Sequence, residues 1–207
     1  MAQAGAGSTS LRERQRARRA ALIDIGIDLL GAAESTPITV RAACRGARLT
    51  ERYFYESFSD RDDFVREVYD ELGERAKETL ASVVRDDRHD GAGRARAAVE
   101  SFMALMIDQP VMGRALLIAP LTEPALSRVG VALAPSFVTM VFDGLSDIDD
   151  VDERTMRSTG LVGAFTALFI GYLDGTLAVD RESLVEHCVE LLVSSGIRNP
   201  RIPGRSD

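Results

Sequence analysis

An all-α fold is predicted for this chain of 207 residues. Apolar residues recur at steps of three and four along most of its length, and no stretch alternates β-branched residues at the period of a strand. A third observation fixes the order near the N-terminus. Two short helical patterns, 40–47 and 51–58, are joined by a tight turn, which is the layout of a helix-turn-helix.

The elements follow in order. Residues 1–9, rich in Ala, Gly, Ser and Thr, are expected to be disordered. Ser10 and Glu13 form a capping-box pattern that opens a first helix with Leu22, Ile25, Leu29 and Ala33 on its inner face, ending before Pro37. Thr39 offers a hydroxyl cap to the second helix, whose small apolar face is Val40, Ala43, Cys44 and Ala47. Thr50 offers another to a third helix running from Glu51 to Phe58, with Phe54 and Phe58 turned inward. Ser59 or Asp60 caps a fourth helix reaching about Arg85 and burying Phe64, Val68, Leu72 and Leu80. The polar stretch 86–93 breaks it. Helices at about 94–108, 110–120 and 124–145 come next, the last bent by Pro135, then an acidic loop from Ser146 to Asp152 and two final helices at about 153–178 and 181–196. The total is about nine helices.

Placed on this framework, Glu51, Arg52, Tyr53 and Tyr55 lie on the outer faces of the third helix near its N-terminal end. In helix-turn-helix proteins that end meets base edges in the major groove. Here the sequence resembles the TetR family of bacterial transcription regulators, whose pattern is T-V-x-x-I-A-x-x-A-G-V-S-x-x-T-[IL]-Y-x-[YH]-F-x-x-K-x-x-[LF]. Thr39, Val40, Ala47, Leu49, Thr50, Phe54, Tyr55, Phe58, Arg61 and Phe64 fit it by identity or close chemistry, without a gap. Ala43 stands for the usual Ile, Cys44 for Ala, Arg48 for the turn Gly and Ser57 for the second aromatic or His. Arg48 is the notable departure, because a turn residue with positive φ is cheap only for Gly. The resemblance implies a DNA-binding module at 1–60 and a body for effector binding and dimerisation at 61–207. It implies DNA contacts from Arg41, Arg48, Thr50, Glu51, Arg52, Tyr53, Tyr55 and Arg61, with Tyr55 and Arg61 on phosphates.

Charge divides along the chain in a way that fits. Residues 1–61 hold ten Arg and seven acids, a net +3, so the remainder of a chain of net charge −7 carries −10. Five arginines fall between 12 and 19, where a basic arm can meet phosphates or enter a minor groove. The two cysteines stand at unrelated positions, which excludes a disulfide scaffold. No apolar leader opens the chain and no uninterrupted apolar run of about 18 residues occurs, so it is expected to be soluble, cytoplasmic and free of the membrane.

The middle of the chain is rich in soft apolar side chains. Phe102, Met103, Met106, Phe137, Met140, Phe165 and Phe169 are candidates for an effector pocket, and the scarcity of charge among them points to an apolar or amphipathic small molecule. Packing into the core is the competing role for each. Gly160, Gly163, Ala164, Ala167 and Gly171 line one side of the penultimate helix, with Leu168, Leu191 and Leu192 as nearby bulk. The resemblance implies that the last two helices form a homodimer interface there, and a dimer of reading heads calls for a palindromic double-stranded operator. His89 and His187 are the two histidines; His187 adjoins Cys188, but helix neighbours point about 100° apart, so no metal site is expected. Without a Ser-His-Asp set, a phosphate loop or an HExxH motif, neither enzymatic chemistry nor a cofactor is expected. The predicted function is a ligand-released repressor. A regulator without an effector, a helical lipid carrier and an enzyme-like ligand binder are the alternatives.

Overall fold

The computed structural model describes residues 4–33, 37–84, 91–127, 129–145 and 148–196, and every regular element among them is helical. His89 and parts of the polar stretch 86–93 and of the acidic loop lie outside the described residues. The helices are α1 (Ala4–Leu30), α2 (Val40–Ala47), α3 (Glu51–Tyr55), α4 (Arg61–Val84), α5 (Gly91–Met106), α6 (Pro110–Gly113), α7 (Ala119–Thr122), α8 (Val129–Gly144), α9 (Val151–Leu173) and α10 (Arg181–Ser194). A π turn at Arg114–Ile118 joins α6 to α7, so 110–122 forms one continuous rod and the helices among the described residues number nine.

Several expectations need correction. Helix α1 already begins at Ala4, so residues 4–9 are helical and Ser10 is no cap; its carbonyl instead accepts from Arg14 Nε four residues on. A capping pattern works only where the preceding chain leaves the helix, and here it does not. The buried stripe of α1 is Leu22, Ile23 and Ile27, with Ile25 and Leu29 half-buried and Ala33 exposed. Helix α3 stops at Tyr55, because Ser57 N donates to Phe54 O and tightens the last turn, swinging Phe58 inward. Phe54, Phe58 and Phe64 then pack ring against ring, with centroids 4.9–5.3 Å apart.

Other boundaries follow their caps. Asp60 Oδ1 accepts from Asp63 N while Asp63 Oδ2 accepts from Ser59 N, a reciprocal cap that starts α4. Phe64, Val68 and Leu72 are buried on α4 as expected, together with Val65, Tyr69 and Ala76. The predicted helix at 124–145 is two pieces, a 3-10 turn at Pro124–Leu126 and then α8, which continues through position 135. Asp150 caps α9 and Asp180 caps α10, each accepting backbone N–H groups of the first turn.

One apolar core runs from Leu22 to Leu192 through all the long helices. The N-terminal helices meet the rod 110–122 at very close range. A Cβ on Gly31 would overlap Val111 O, so glycine is what lets α1 touch the rod, and a Cβ on Gly113 would overlap Met106 O, so glycine likewise lets the rod lie against the end of α5. Arg114 Nε donates to Gly31 O at 2.9 Å, and Tyr69 OH donates to Leu116 O inside the π turn at 3.0 Å. Helix α9 packs on α8, and α10 packs chiefly on α5. Arg181 reinforces that pair with bonds to Asp108 and Glu100, and Arg96 bonds Glu182. By length and composition α9 is apolar enough to cross a membrane, and only 17 % of its most apolar stretch is buried.

Candidate nucleic-acid interface

Helix α2 begins as its sequence demands, with Thr39 Oγ1 accepting from Ala42 N at 3.1 Å. It ends in a complete Schellman motif. Leu49 N donates to Cys44 O and Arg48 N to Arg45 O, while Leu49 packs against the core cluster that contains Cys44. Arg48 occupies the left-handed position of this motif, with φ 54° and ψ 40°. It is the only non-glycine residue of positive φ among the described residues. The turn is therefore built in the ordinary way, and Arg48 carries the strain, on the order of 1 kcal/mol, that a glycine avoids.

Thr50 takes the N-cap position of α3 with extended backbone, but its hydroxyl makes no cap hydrogen bond; Tyr53 N bonds the Thr50 carbonyl instead. That exposed hydroxyl is left for another partner. Glu51, Arg52 and Tyr55 are exposed, whereas Tyr53 is half-buried under the Arg18 guanidinium, 3.8 Å above its ring centre. The acids beside the reading helix are offset by arginines. Arg41 Nε lies 3.6 Å from Glu51, and Glu56 is held by Arg52 at 3.3 Å and approached by Arg18 at 3.9 Å. Gln15 adds a long 3.5 Å bond to Glu56 O. Helix α1 thus supports α3 from behind through Gln15 and Arg18. The sequence signal for this was the spacing of basic and polar residues three apart, which a reading of α1 as a free arm passes over. Arg12, Arg14 and Arg16 remain exposed, on a helix rather than on an extended strand.

Arg61 has a different position from the one expected for a phosphate contact. Its Nη atoms reach both oxygens of Glu123 at 2.7 and 2.5 Å, Nη1 also reaches Asp62 at 2.8 Å, and Nε donates to Ile38 O at 3.0 Å. The hydrogen bonds to Glu123 raise its pKa further. Burial pushes the Glu123 carboxyl up, but bonds from Arg61 and Ala125 N hold it below the ordinary value. Glu123 was missed at the sequence level, although it and Arg114 are the two charges between 109 and 127.

Of the effector candidates, Phe102, Phe137, Phe165 and Phe169 meet as one ring cluster between α5, α8 and α9, with centroids 5.1–6.4 Å apart. Met103 and Met106 are fully buried in the core, and Met140 is half-buried. Of the small-residue stripe, Gly160, Gly163 and Ala167 face outward, and a Cβ on either glycine would meet nothing within 4 Å. Met156 and Val151 are exposed on the same helix. Ala164 and Leu168 are half-buried. Gly171 is used within the chain, its carbonyl accepting from Leu177 N and Thr176 Oγ1. Leu192 is buried in the core and Leu191 half-buried. Burial also raises both thiols, Cys44 with the Glu51 charge adding to it and Cys188 to about 11, so neither is a thiolate at neutral pH. Among the described residues no group of three potential metal ligands occurs.

No family model matches the sequence, and no curated protein matches it. Solved structures match it in shape. A TetR-like transcriptional regulator from Rhodococcus sp. RHA1 superposes with a TM-score of 0.65 at 15 % identity, over 85 % of this chain and 93 % of the other. The fatty acid degradation regulator FadR from Bacillus halodurans gives 0.67 at 11 % identity, over 91 % and 97 %. AibR, solved with isovaleryl coenzyme A and operator DNA, gives 0.59 at 14 % identity, over 84 % and 97 %. Likeness at these identities speaks to architecture, and the chain has the fold of the TetR-like transcriptional regulators.

Proposed function

We propose that this protein is a cytoplasmic, TetR-type transcriptional regulator that binds a palindromic operator as a homodimer and is released from it by an apolar or amphipathic small molecule. The observation that carries the DNA reading is the Schellman turn at Arg48, which sets α3 beside α2 with Arg41, Thr50, Arg52 and Tyr55 all exposed around it. Arg52 and Tyr55 meet bases or phosphates from α3, Arg41 and Arg48 contact the backbone, and Arg12, Arg14 and Arg16 extend the basic track along α1. Arg61 has no part in that list. Residues 1–60 act as the reading module and 61–207 as the body.

The dimer reading rests on α9, whose outward Gly160, Gly163, Ala167 and Met156 are uncovered in the single chain. The effector reading rests on the ring cluster Phe102, Phe137, Phe165 and Phe169, and AibR and FadR suggest acyl compounds or their coenzyme A esters as the first class to try. Selection from a random DNA pool by full-length protein is the decisive experiment. An inverted repeat with half-site centres about one helical turn, or a multiple, apart is expected, bound less tightly as salt rises. Enrichment of no sequence would sink the regulator; enrichment of an inverted repeat that no acyl compound displaces would leave a regulator without this effector class.

A further inference from the structure

The rod 110–122 and the 3-10 turn after it are almost wholly apolar, yet the two charges between 109 and 127 both leave their own segment for the N-terminal helices. Arg114 ends on the carbonyl of Gly31, at the exit of α1. Glu123 ends on Arg61, the first residue of α4, in a two-toothed ion pair. The same guanidinium donates to Ile38 O, one residue before the Thr39 cap that starts α2. One side chain therefore joins three things: the body at Glu123, the base of α4 that follows α3, and the strand of backbone that leads into α2. Glu123 is itself fixed, since Oε1 also accepts from Ala125 N and caps the 3-10 turn, and its side chain is only 11 % exposed.

Magnitudes favour a specific role. Exposed ion pairs contribute little, but a bidentate Arg–carboxylate pair with one partner nearly buried is geometrically demanding, and removing either side leaves a charge without compensation. Stability alone does not require such a pair at this place, where an apolar contact would serve. What an apolar contact does not supply is a fixed direction.

We infer that Arg61 and Glu123 are positioning residues for DNA recognition: the pair sets the angle at which the helix-turn-helix leaves the body, and with it the separation of the two reading heads in the dimer. This rests on the regulator reading above. It gives the protein its discrimination between operators whose half-sites match and those whose half-sites are displaced by a base pair or two.

The experiment uses full-length protein and the inverted repeat obtained by selection, together with versions whose central spacer is lengthened or shortened by one and two base pairs. Wild type is expected to lose about tenfold or more in affinity for each displaced version. Glu123→Gln, which keeps an oxygen for Ala125 N, and Arg61→Met should bind the best spacing several-fold more weakly and lose less than about threefold on displacement. If both variants weaken binding equally at every spacing, the pair is merely structural and the inference falls. If Arg61→Met alone weakens binding, and lowers the salt dependence by about one phosphate contact, Arg61 is a DNA ligand and the inference falls again. Should Arg61→Met fail to fold, Glu123→Gln alone decides by its spacing profile. Wild type that selects no inverted repeat would overturn the regulator reading itself, and the inference with it.

Discussion

The junction between the N-terminal helices and the rod 110–122, and the outer face of α9, are both built with glycine, for opposite reasons. At the junction Gly31 lies against Val111 O, and on the same rod Gly113 lies against Met106 O at the end of α5, each so close that a methyl group has no room. On α9, Gly160 and Gly163 face open space. Polar groups follow the same division. Tyr69, Arg114, Arg61 and Glu123 all have partners across the junction, whereas α9 shows Val151 and Met156 to solvent. Small residues at the junction are explained by contacts within one chain; Gly160, Gly163 and Ala167 on α9 are not, and this asymmetry is the physical ground for expecting a second copy there.

The comparison breaks most visibly at Gly113. Gly113→Ala forces a Cβ against Met106 O, and displacing backbone inside a packed core should cost about 2–3 kcal/mol, read as a lower urea midpoint. An unchanged midpoint would mean that the rod packs on the end of α5 with room to spare. Gly163→Leu is the counterpart on α9. It should stabilise the dilute single chain slightly, by about 0.5–1 kcal/mol of helix propensity, while weakening association by about tenfold, roughly 1.4 kcal/mol, as sedimentation would show; equal association of variant and wild type would remove α9 from the interface.

Smaller changes sharpen the contrast. Tyr69→Phe deletes the hydroxyl that satisfies Leu116 O and should destabilise the protein by about 1 kcal/mol. Burial pushes this phenol up to about 12, so it stays protonated across the working pH range. Arg48→Gly is the opposite test, since here the chain has a side chain where glycine is wanted. Relief of the left-handed backbone should outweigh the greater freedom of the unfolded glycine and add about 0.5 kcal/mol of stability, while a DNA-contacting Arg48 makes the same variant bind more weakly. A variant less stable than wild type would show that the arginine is held there by something more than the turn.

These differences also explain how much the sequence revealed. The helix-turn-helix was legible because its determinants are local: Thr39 caps its own helix, Ala43 and Cys44 face inward at the right spacing, and Phe54 and Phe58 belong to one small cluster. Phe102, Phe137, Phe165 and Phe169 were legible only as soft apolar residues of three helices; that their rings meet is decided by tertiary packing. Arg61 was not, because the acid that claims it lies 62 residues away and nothing near Arg61 announces it. Tyr53 was assigned to an outer face by the geometry of α3 alone, and Arg18 from α1 covers it. The Ser10 capping box failed for a related reason: whether a serine caps depends on the path of the chain before it. Gly171 shows the same limit in reverse, a member of the stripe by spacing that the loop after α9 uses for itself.

The π turn at Arg114–Ile118 acts as a phase shifter. A five-residue hydrogen-bonded turn contains one residue more than an α-helix needs to cover the same path, and each residue of an α-helix turns the chain by about 100°. If residues 114–118 rewound as regular α-helix with none deleted, the surplus residue would no longer be absorbed, and everything beyond it would rotate by about that angle relative to Gly113. Glu123 would swing away from Arg61, although neither residue had been touched. That single surplus residue sets the azimuth at which the far end of the rod addresses the first turn of α4.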